Sequence, residues 1–207
     1  MNDKSKNSGK KTLLWSIITS APGPLVVGIG LIVGKSSTQL ADFIRRAIEL
    51  LAIILSFVTY SITIKDNVAD EDKKAKLEMG TGIFISLAMI TSGVIMLILA
   101  LTSKDDEKGN VIFGLIIAVL GVIANCYFWL RYKKLGVSSG NAVLLSQSKL
   151  YRAKTFVDFS VTLSLSAVLL STSAPLRYYF DLIGTIAVSA YLILTGITSL
   201  LKQLKKQ

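Results

Sequence analysis

The fold is decided by residues 40–64, which read LADFIRRAIELLAIILSFVTYSITI. This run is longer than the ~20 mostly apolar residues that a helix needs to cross about 30 Å of hydrocarbon. It nevertheless contains Asp42, Arg45, Arg46 and Glu49. An ionisable side chain at mid-bilayer costs roughly 2.5–3.5 kcal/mol on insertion scales. The run therefore predicts a transmembrane helix whose charged residues mark either a functional site or a paired structural one.

The polar residues of this helix share one face. Positions spaced by three or four residues line up along a helix, whereas the remaining positions of the run are mostly Ile, Leu, Val and Phe. We expect the polar face to point into a helix bundle, as intramembrane charges usually do. Arg46 lies off this face near the helix start, where its long side chain is expected to reach the outer headgroups. The face consists of Asp42, Arg45, Glu49, Ala52, Ser56 and Tyr60.

The chain contains five more apolar runs that are long enough to cross a membrane. The 207-residue chain is 52% hydrophobic and has a mean hydropathy of +0.60. These features predict an all-α, polytopic membrane protein with six transmembrane helices. The expected domains are a basic tail at 1–12, the membrane domain at 13–201 and a short tail at 202–207, without a C-terminal soluble domain. The six predicted spans are 13–33, 38–64, 80–102, 111–131, 150–173 and 181–201.

The distribution of Lys and Arg predicts the topology. Short cytoplasmic loops carry an excess of these residues. In a six-span arrangement both tails, the loop at 65–79 and the segment 131–154 share one side, and most of the 23 basic residues lie in them. We therefore expect a multi-pass protein of the plasma membrane with both termini cytoplasmic. The net charge of +10 is explained by this bias, so nucleic acid is not an expected partner and the lipid bilayer is.

The segment 131–149 is expected to be the longest connection between spans. Gly136 and Gly140 favour a flexible loop there, together with the neighbouring serines. The connections at 34–37, at 103–110 and around Pro175 are shorter and make the spans that they join antiparallel neighbours.

The fifth span carries a second pair of charges. Lys154 and Asp158 are four residues apart, so they are neighbours on one helical face, and Thr162 continues that face. Asn125 in the fourth span is a further intramembrane polar residue, which either reaches a central site or bonds to a neighbouring helix. Lys154 and Asp158, together with Arg45 and Glu49, place two bases and two acids inside the membrane.

These motifs resemble the transmembrane domain of the cation diffusion facilitator family, the zinc and manganese efflux proteins. After a Gly-Ser turn at 34–37 the chain reads Leu40-Ala41-Asp42, followed by Arg45 and Glu49 at the family's two metal-ligand positions. In the fifth span, residues 154–158 follow the family's H-x-x-x-D motif. There Asp158 matches the ligand Asp and Lys154 stands where the family has His. The resemblance implies a cation-efflux-like bundle of six transmembrane helices. It also implies a transporter that exchanges a divalent cation for protons.

The resemblance also implies what this chain would bind. The transported cation would be zinc or manganese, and the carboxylates available as metal ligands are Asp42, Glu49 and Asp158. The family usually dimerises partly through a cytoplasmic metal-binding domain after the sixth span. This sequence shows no such domain, so the resemblance leaves a homodimer open.

The charge balance argues against an ordinary metal site. An arginine keeps its proton in proteins, and a cation–carboxylate pair at ~4 Å is worth about 4 kcal/mol at an effective dielectric of ~20. A divalent ion would have to displace such pairs and sit beside the two positive charges of Arg45 and Lys154. One hypothesis is a transporter with an altered site. Its pathway would be formed by Asp42, Arg45, Glu49, Lys154 and Asp158, with Asn125 and Thr162 as accessory residues.

The alternative hypothesis is a non-transporting structural or regulatory membrane protein that uses the same fold. In that case the four charges would form a permanent salt-bridge cluster. An enzyme is not expected, because the chain has no His, no nucleophile motif and no cofactor fingerprint. Its single thiol, Cys126, is interpreted as a small buried residue.

Overall fold

The structure is a computed structural model that describes residues 3–34, 37–64, 71–102, 111–170 and 174–205. Within these ranges every residue is helical except at short turns, so the predicted all-α polytopic fold is confirmed. For some helical residues, Asp42 and Asp181 among them, the side chains are not described. The helices are α1 (Asp3–Ser20), α2 (Pro22–Gly34), α3 (Ser37–Thr63), α4 (Glu71–Thr102), α5 (Val111–Ser139), α6 (Ala142–Leu170) and α7 (Ala174–Leu204).

The first predicted span is two helices rather than one. α1 ends at Ser20, and α2 begins at Pro22 after a turn at Ala21 whose amide donates to the Ile17 carbonyl at 2.9 Å. Proline lacks an N–H and its ring clashes with the preceding turn, so it interrupts a helix but starts one well. The predicted tail at 1–12 is helical from Asp3 onward.

The predicted long loop at 131–149 is wrong. α5 continues to Ser139 and α6 starts at Ala142, which leaves a two-residue turn. Gly140 adopts a φ of 65°, a left-handed conformation that commonly ends helices. The side-chain oxygen of Asn141 then accepts a hydrogen bond from the Leu144 amide at 3.1 Å and caps α6. Both helices extend past their apolar runs, because polar positions outside the hydrocarbon remain compatible with a helix.

The helices pack mainly as antiparallel neighbours. α5 lies along α6, α4 along α7, and α3 packs against α4. α4 and α7 approach closely at Gly93, where an added Cβ would lie 2.9 Å from the Ser189 carbonyl oxygen. Small residues permit such approaches between membrane helices. Many large apolar side chains on the outer faces are exposed, as expected for surfaces in contact with lipid.

In the part of the chain that the structure describes, five helical stretches are long and apolar enough to cross a membrane. Within the described residues α6 is not among these stretches. Its crossing, and therefore the count of six spans, stays a prediction. The qualifying stretches are Asn7–Ile29, Phe43–Thr63, Glu71–Thr102, Leu115–Ser139 and Leu182–Leu204.

The beginning of α1 and the end of α7 lie at the same end of the bundle. Arg131 near the end of α5 donates to the Ser8 hydroxyl of α1 at 2.8 Å. Asn141, just after α5, donates to Glu78 near the start of α4 at 2.8 Å, and Gln203 at the end of α7 packs against Gly82 of α4. We call this the terminal end of the bundle. That it faces the cytoplasm, and that the membrane is the plasma membrane, remain predictions from the charge bias.

Candidate functional site

The polar face of α3 points into the bundle, as predicted from its spacing. Arg45 is 8% exposed and Glu49 5%, while Ala52, Ser56 and Tyr60 are fully buried. The side chain of Asp42, the first residue of the predicted face, lies outside the described residues. The helical periodicity therefore located the buried face correctly wherever the side chains are described.

Glu49 is shared between two cations. Its Oε1 lies 3.4 Å from Arg45 Nη1 one turn earlier on α3, and its Oε2 lies 3.6 Å from Lys154 Nζ on α6. One carboxylate oxygen thus faces a cation of its own helix, α3, and the other faces a cation of α6. The ammonium of Lys154 also sits 5.1 Å from the centre of the Tyr151 ring, close enough for a cation–π attraction. We call Arg45, Glu49 and Lys154 the charged triad.

Asp158 has a different partner from the one its spacing suggested. Asn125 on α5 donates its Nδ2–H to Asp158 Oδ2 at 2.5 Å, so Asn125 does reach the site. Among the described ion pairs, Lys154 bonds to Glu49 across the helix interface rather than to Asp158 on its own helix. Thr162 donates to the backbone carbonyl of Asp158 at 2.8 Å, which leaves the carboxylate without that hydroxyl. Gly121 gives the carboxylate room, since an added Cβ would lie 2.6 Å from Oδ2.

The triad, Asp158 and Asn125 all line one cavity of about 480 Å³, which we call the central cavity. Its walls come from α1, α2, α3, α5 and α6. It brings together four predicted pathway residues and Asn125, whereas Thr162 does not line it. The polar and charged residues that line it are Thr19, Ser20, Arg45, Arg46, Glu49, Asn125, Lys154 and Asp158.

Arg46 was expected at the headgroups, but it lines the central cavity. Its side chain approaches α2, where a Cβ added at Gly23 would lie 3.4 Å from Arg46 Nη1. The break between α1 and α2 places Ser20 and Gly23 around the cavity, so a residue outside the α3 stripe can still face the interior. Thr19 and Ser20 were also missed, because no charge marked them in the first apolar run.

The comparison with family models decides the classification. Residues 16–206 match the cation efflux transmembrane domain, which is nearly the whole chain. The protein belongs to the cation efflux family. A comparison with curated protein sequences found no match. The match confirms the family resemblance and the expectation of a membrane protein of a transporter family.

The central cavity of this cation efflux family member is poor in metal ligands. Among the described residues, no group of three or more Asp, Glu, Cys or His side chains could hold a metal ion together. Glu49 is engaged by two cations and Asp158 by Asn125. The described charges on the cavity wall are those of three cations and two carboxylates. This arrangement suits a group that carries its own negative charge better than a bare divalent ion.

Proposed function

We propose that the protein transports a solute through the central cavity and that the charged triad occupies the place of a metal ion. The observation that supports this most directly is Glu49, whose two carboxylate oxygens each face a fixed cation at 3.4 and 3.6 Å. A divalent ion entering here would have to displace two ion pairs worth about 4 kcal/mol each at an effective dielectric of ~20. Even if Asp42 also faced the cavity, the wall would carry no net negative charge.

Asp158 is the second element of the proposed transport site. It lines the same cavity as the triad, and it is oriented by the Asn125 amide rather than by a described cation. In this proposal Asp158 and Asn125 bind polar groups of the solute, while Arg45, Arg46 and Lys154 bind an anionic group. Zinc or manganese exchanged for protons, the chemistry that the family resemblance implies, is the alternative cargo. It would require the triad to open.

Flux measurements in proteoliposomes test this proposal. The purified protein would be assayed with zinc, manganese and a panel of small anions, beside the variants Asp158→Asn and Glu71→Gln. Glu71 is an exposed acid at the start of α4, so its variant controls for removal of a carboxylate elsewhere. We expect flux of an anionic solute that Asp158→Asn abolishes and Glu71→Gln leaves intact. Zinc or manganese flux that depends on Asp158 would show that the charge argument is wrong.

The second candidate function is a non-transporting structural or regulatory membrane protein. It is favoured by the burial of Glu49 between two cations, since a fully satisfied cluster needs no further ligand. The variant Lys154→Met separates the candidates when thermal stability in detergent and flux are measured together, with Lys134→Met as the exposed control. Loss of stability in a protein without flux for any solute supports the structural role. A stable variant with altered flux supports transport.

A further inference from the structure

A second cavity lies at the terminal end of the bundle between α5, α6 and α7. Its volume is about 340 Å³, and none of its described lining residues is acidic. Its polar lining also includes Ser146, Ser148 and Gln203. We call it the terminal basic pocket. Its cationic lining residues are Lys133, Lys149, Arg152 and Lys202.

Arg152 is held in the pocket wall with part of its hydrogen-bonding capacity unused. The guanidinium carbon lies 5.7 Å from the centre of the Tyr191 ring, close enough for a cation–π attraction. Its Nε is buried, and no acceptor within the described part of the chain bonds to it. Beside it, Lys149 donates to the Ser199 hydroxyl at 2.8 Å, which places a second cation at the α6–α7 interface. The planar donor fork of a guanidinium matches the oxygens of a phosphoryl group.

An aromatic row lies one helical turn from these cations, on the side away from the terminal end. The Trp129 ring is 6.5 Å from that of Phe156, which in turn is 5.1 Å from that of Tyr191. Trp129 precedes Lys133 by one turn on α5, and Phe156 follows Arg152 by one turn on α6. Tryptophan and tyrosine mark the interface between hydrocarbon and headgroups. The aromatic side chains thus lie between the pocket cations and the middle of the bundle, in the order expected where helices leave the hydrocarbon.

We propose that the terminal basic pocket binds the phosphoryl group of an acidic phospholipid from the surrounding bilayer. Basic pockets between transmembrane helices are suited to anionic headgroups. The four cations and the serine hydroxyls bind the phosphoryl oxygens. The acyl chains descend along the outer face of the bundle, where Phe156 is 43% exposed. Free phosphate shares the headgroup chemistry but gains nothing from the aromatic row, which favours the lipid as the source.

Native mass spectrometry on the full chain in detergent tests this site. Binding of short-chain phosphatidylglycerol, phosphatidylcholine and inorganic phosphate would be titrated against the unmodified protein, Arg152→Gln and Lys202→Gln. We expect saturable binding of phosphatidylglycerol that greatly exceeds that of phosphatidylcholine. Each variant should weaken it roughly fivefold, since a basic residue near the headgroups contributes about 1 kcal/mol. Lys202 is exposed at the end of α7, so its variant tests the site even if Arg152→Gln fails to fold.

A matched control separates a pocket from general surface attraction. Lys134 is an exposed cation on α5 that does not line the pocket, and Lys134→Gln should change the affinity less than twofold. An equal loss in Lys134→Gln and Lys202→Gln would overturn the proposal in favour of nonspecific attraction. Binding of inorganic phosphate without any preference for phosphatidylglycerol would overturn the assignment to lipid. Equal binding of both lipids would refute the proposal altogether.

Discussion

The central cavity and the terminal basic pocket are both lined by Lys and Arg, but their charges are compensated in opposite ways. In the central cavity the protein supplies the counter-charge itself, because Glu49 lies between Arg45 and Lys154. In the terminal basic pocket none of the described lining residues is acidic. An ion deep in the bundle is costly without a partner, whereas a cation at the bundle end meets water and lipid phosphates. Arg152 and Lys154 are only two residues apart on α6, so the direction in which a side chain points, into the bundle or toward its end, decides whether the chain must carry its own counter-ion.

The largest effect is expected when the shared counter-charge is removed from the central cavity. Glu49→Gln removes the carboxylate that lies between the buried Arg45 and the partly buried Lys154. Breaking a buried ion pair by removal of one partner costs about 3–5 kcal/mol, so we expect a strong fall in the melting temperature in detergent. Glu71→Gln, at an exposed position of α4, should leave it unchanged. Similar melting temperatures for the two variants would show that the triad contributes little to stability.

Removing the whole triad sharpens this test. Replacing a buried ion cluster by apolar residues of similar volume is often neutral or stabilising. The triple variant Arg45→Met, Glu49→Leu and Lys154→Met should therefore be more stable than Glu49→Gln alone, as thermal unfolding in detergent would show. Its flux then reports on function without the complication of instability. A triple variant that is less stable than Glu49→Gln would contradict the account of Glu49 as a counter-ion.

A smaller effect is expected at the second carboxylate of the central cavity. Asn125→Leu removes the donor that bonds to Asp158 Oδ2 at 2.5 Å. A buried acceptor that loses its partner costs about 1–3 kcal/mol. Thr162→Val is the matched control, because its hydroxyl bonds only to the Asp158 backbone carbonyl among the described contacts. The melting temperature of Asn125→Leu should therefore be lower than that of Thr162→Val. The reverse order would mean that the Asp158 carboxylate does not depend on the Asn125 amide.

Gly121 provides a steric test of the same carboxylate. Gly121→Ala would place a Cβ 2.6 Å from Asp158 Oδ2, and overpacking of this kind costs about 1–3 kcal/mol. Gly80 on α4 has no heavy atom within 4 Å of an added Cβ, so Gly80→Ala should be neutral or stabilising because alanine favours a helix. The difference between the two melting temperatures measures how tightly α5 and α6 enclose Asp158. Equal melting temperatures would contradict the close approach.

The sequence predicted the buried face of α3 because helical spacing alone determines which residues lie on one face. Arg45 and Glu49 share that face whatever the neighbouring helices are. The partners could not be predicted in the same way. Lys154 pairs with Glu49 on another helix, and Asp158 bonds to Asn125 on a third. These contacts depend on how helices rotate and cross, which the spacing within one helix does not contain.

The extent of the helices was also only partly predictable. Apolar runs locate the hydrocarbon but not where a helix ends outside it, so α5 and α6 together replace the predicted loop at 131–149. The turn depends on the φ of Gly140 and the cap at Asn141, two residues within a segment rich in Gly and Ser. The cavity wall formed by Arg46 was missed because it requires the break at Ala21 between α1 and α2.

The smallest effect is expected in the terminal basic pocket. Lys133→Gln removes one cation from a wall whose described residues include no acid, so like-charge repulsion falls and no counter-ion is stranded. In lipid-free detergent at low salt, the melting temperature should stay within about 2 °C of that of the unmodified protein or rise slightly. At 1 M salt the Debye length shrinks to about 3 Å, and this small gain should vanish. The loss caused by Glu49→Gln should persist in the same salt series, because buried charges are screened much less. A loss in Lys133→Gln as large and as salt-resistant as in Glu49→Gln would mean that the terminal basic pocket is compensated internally after all.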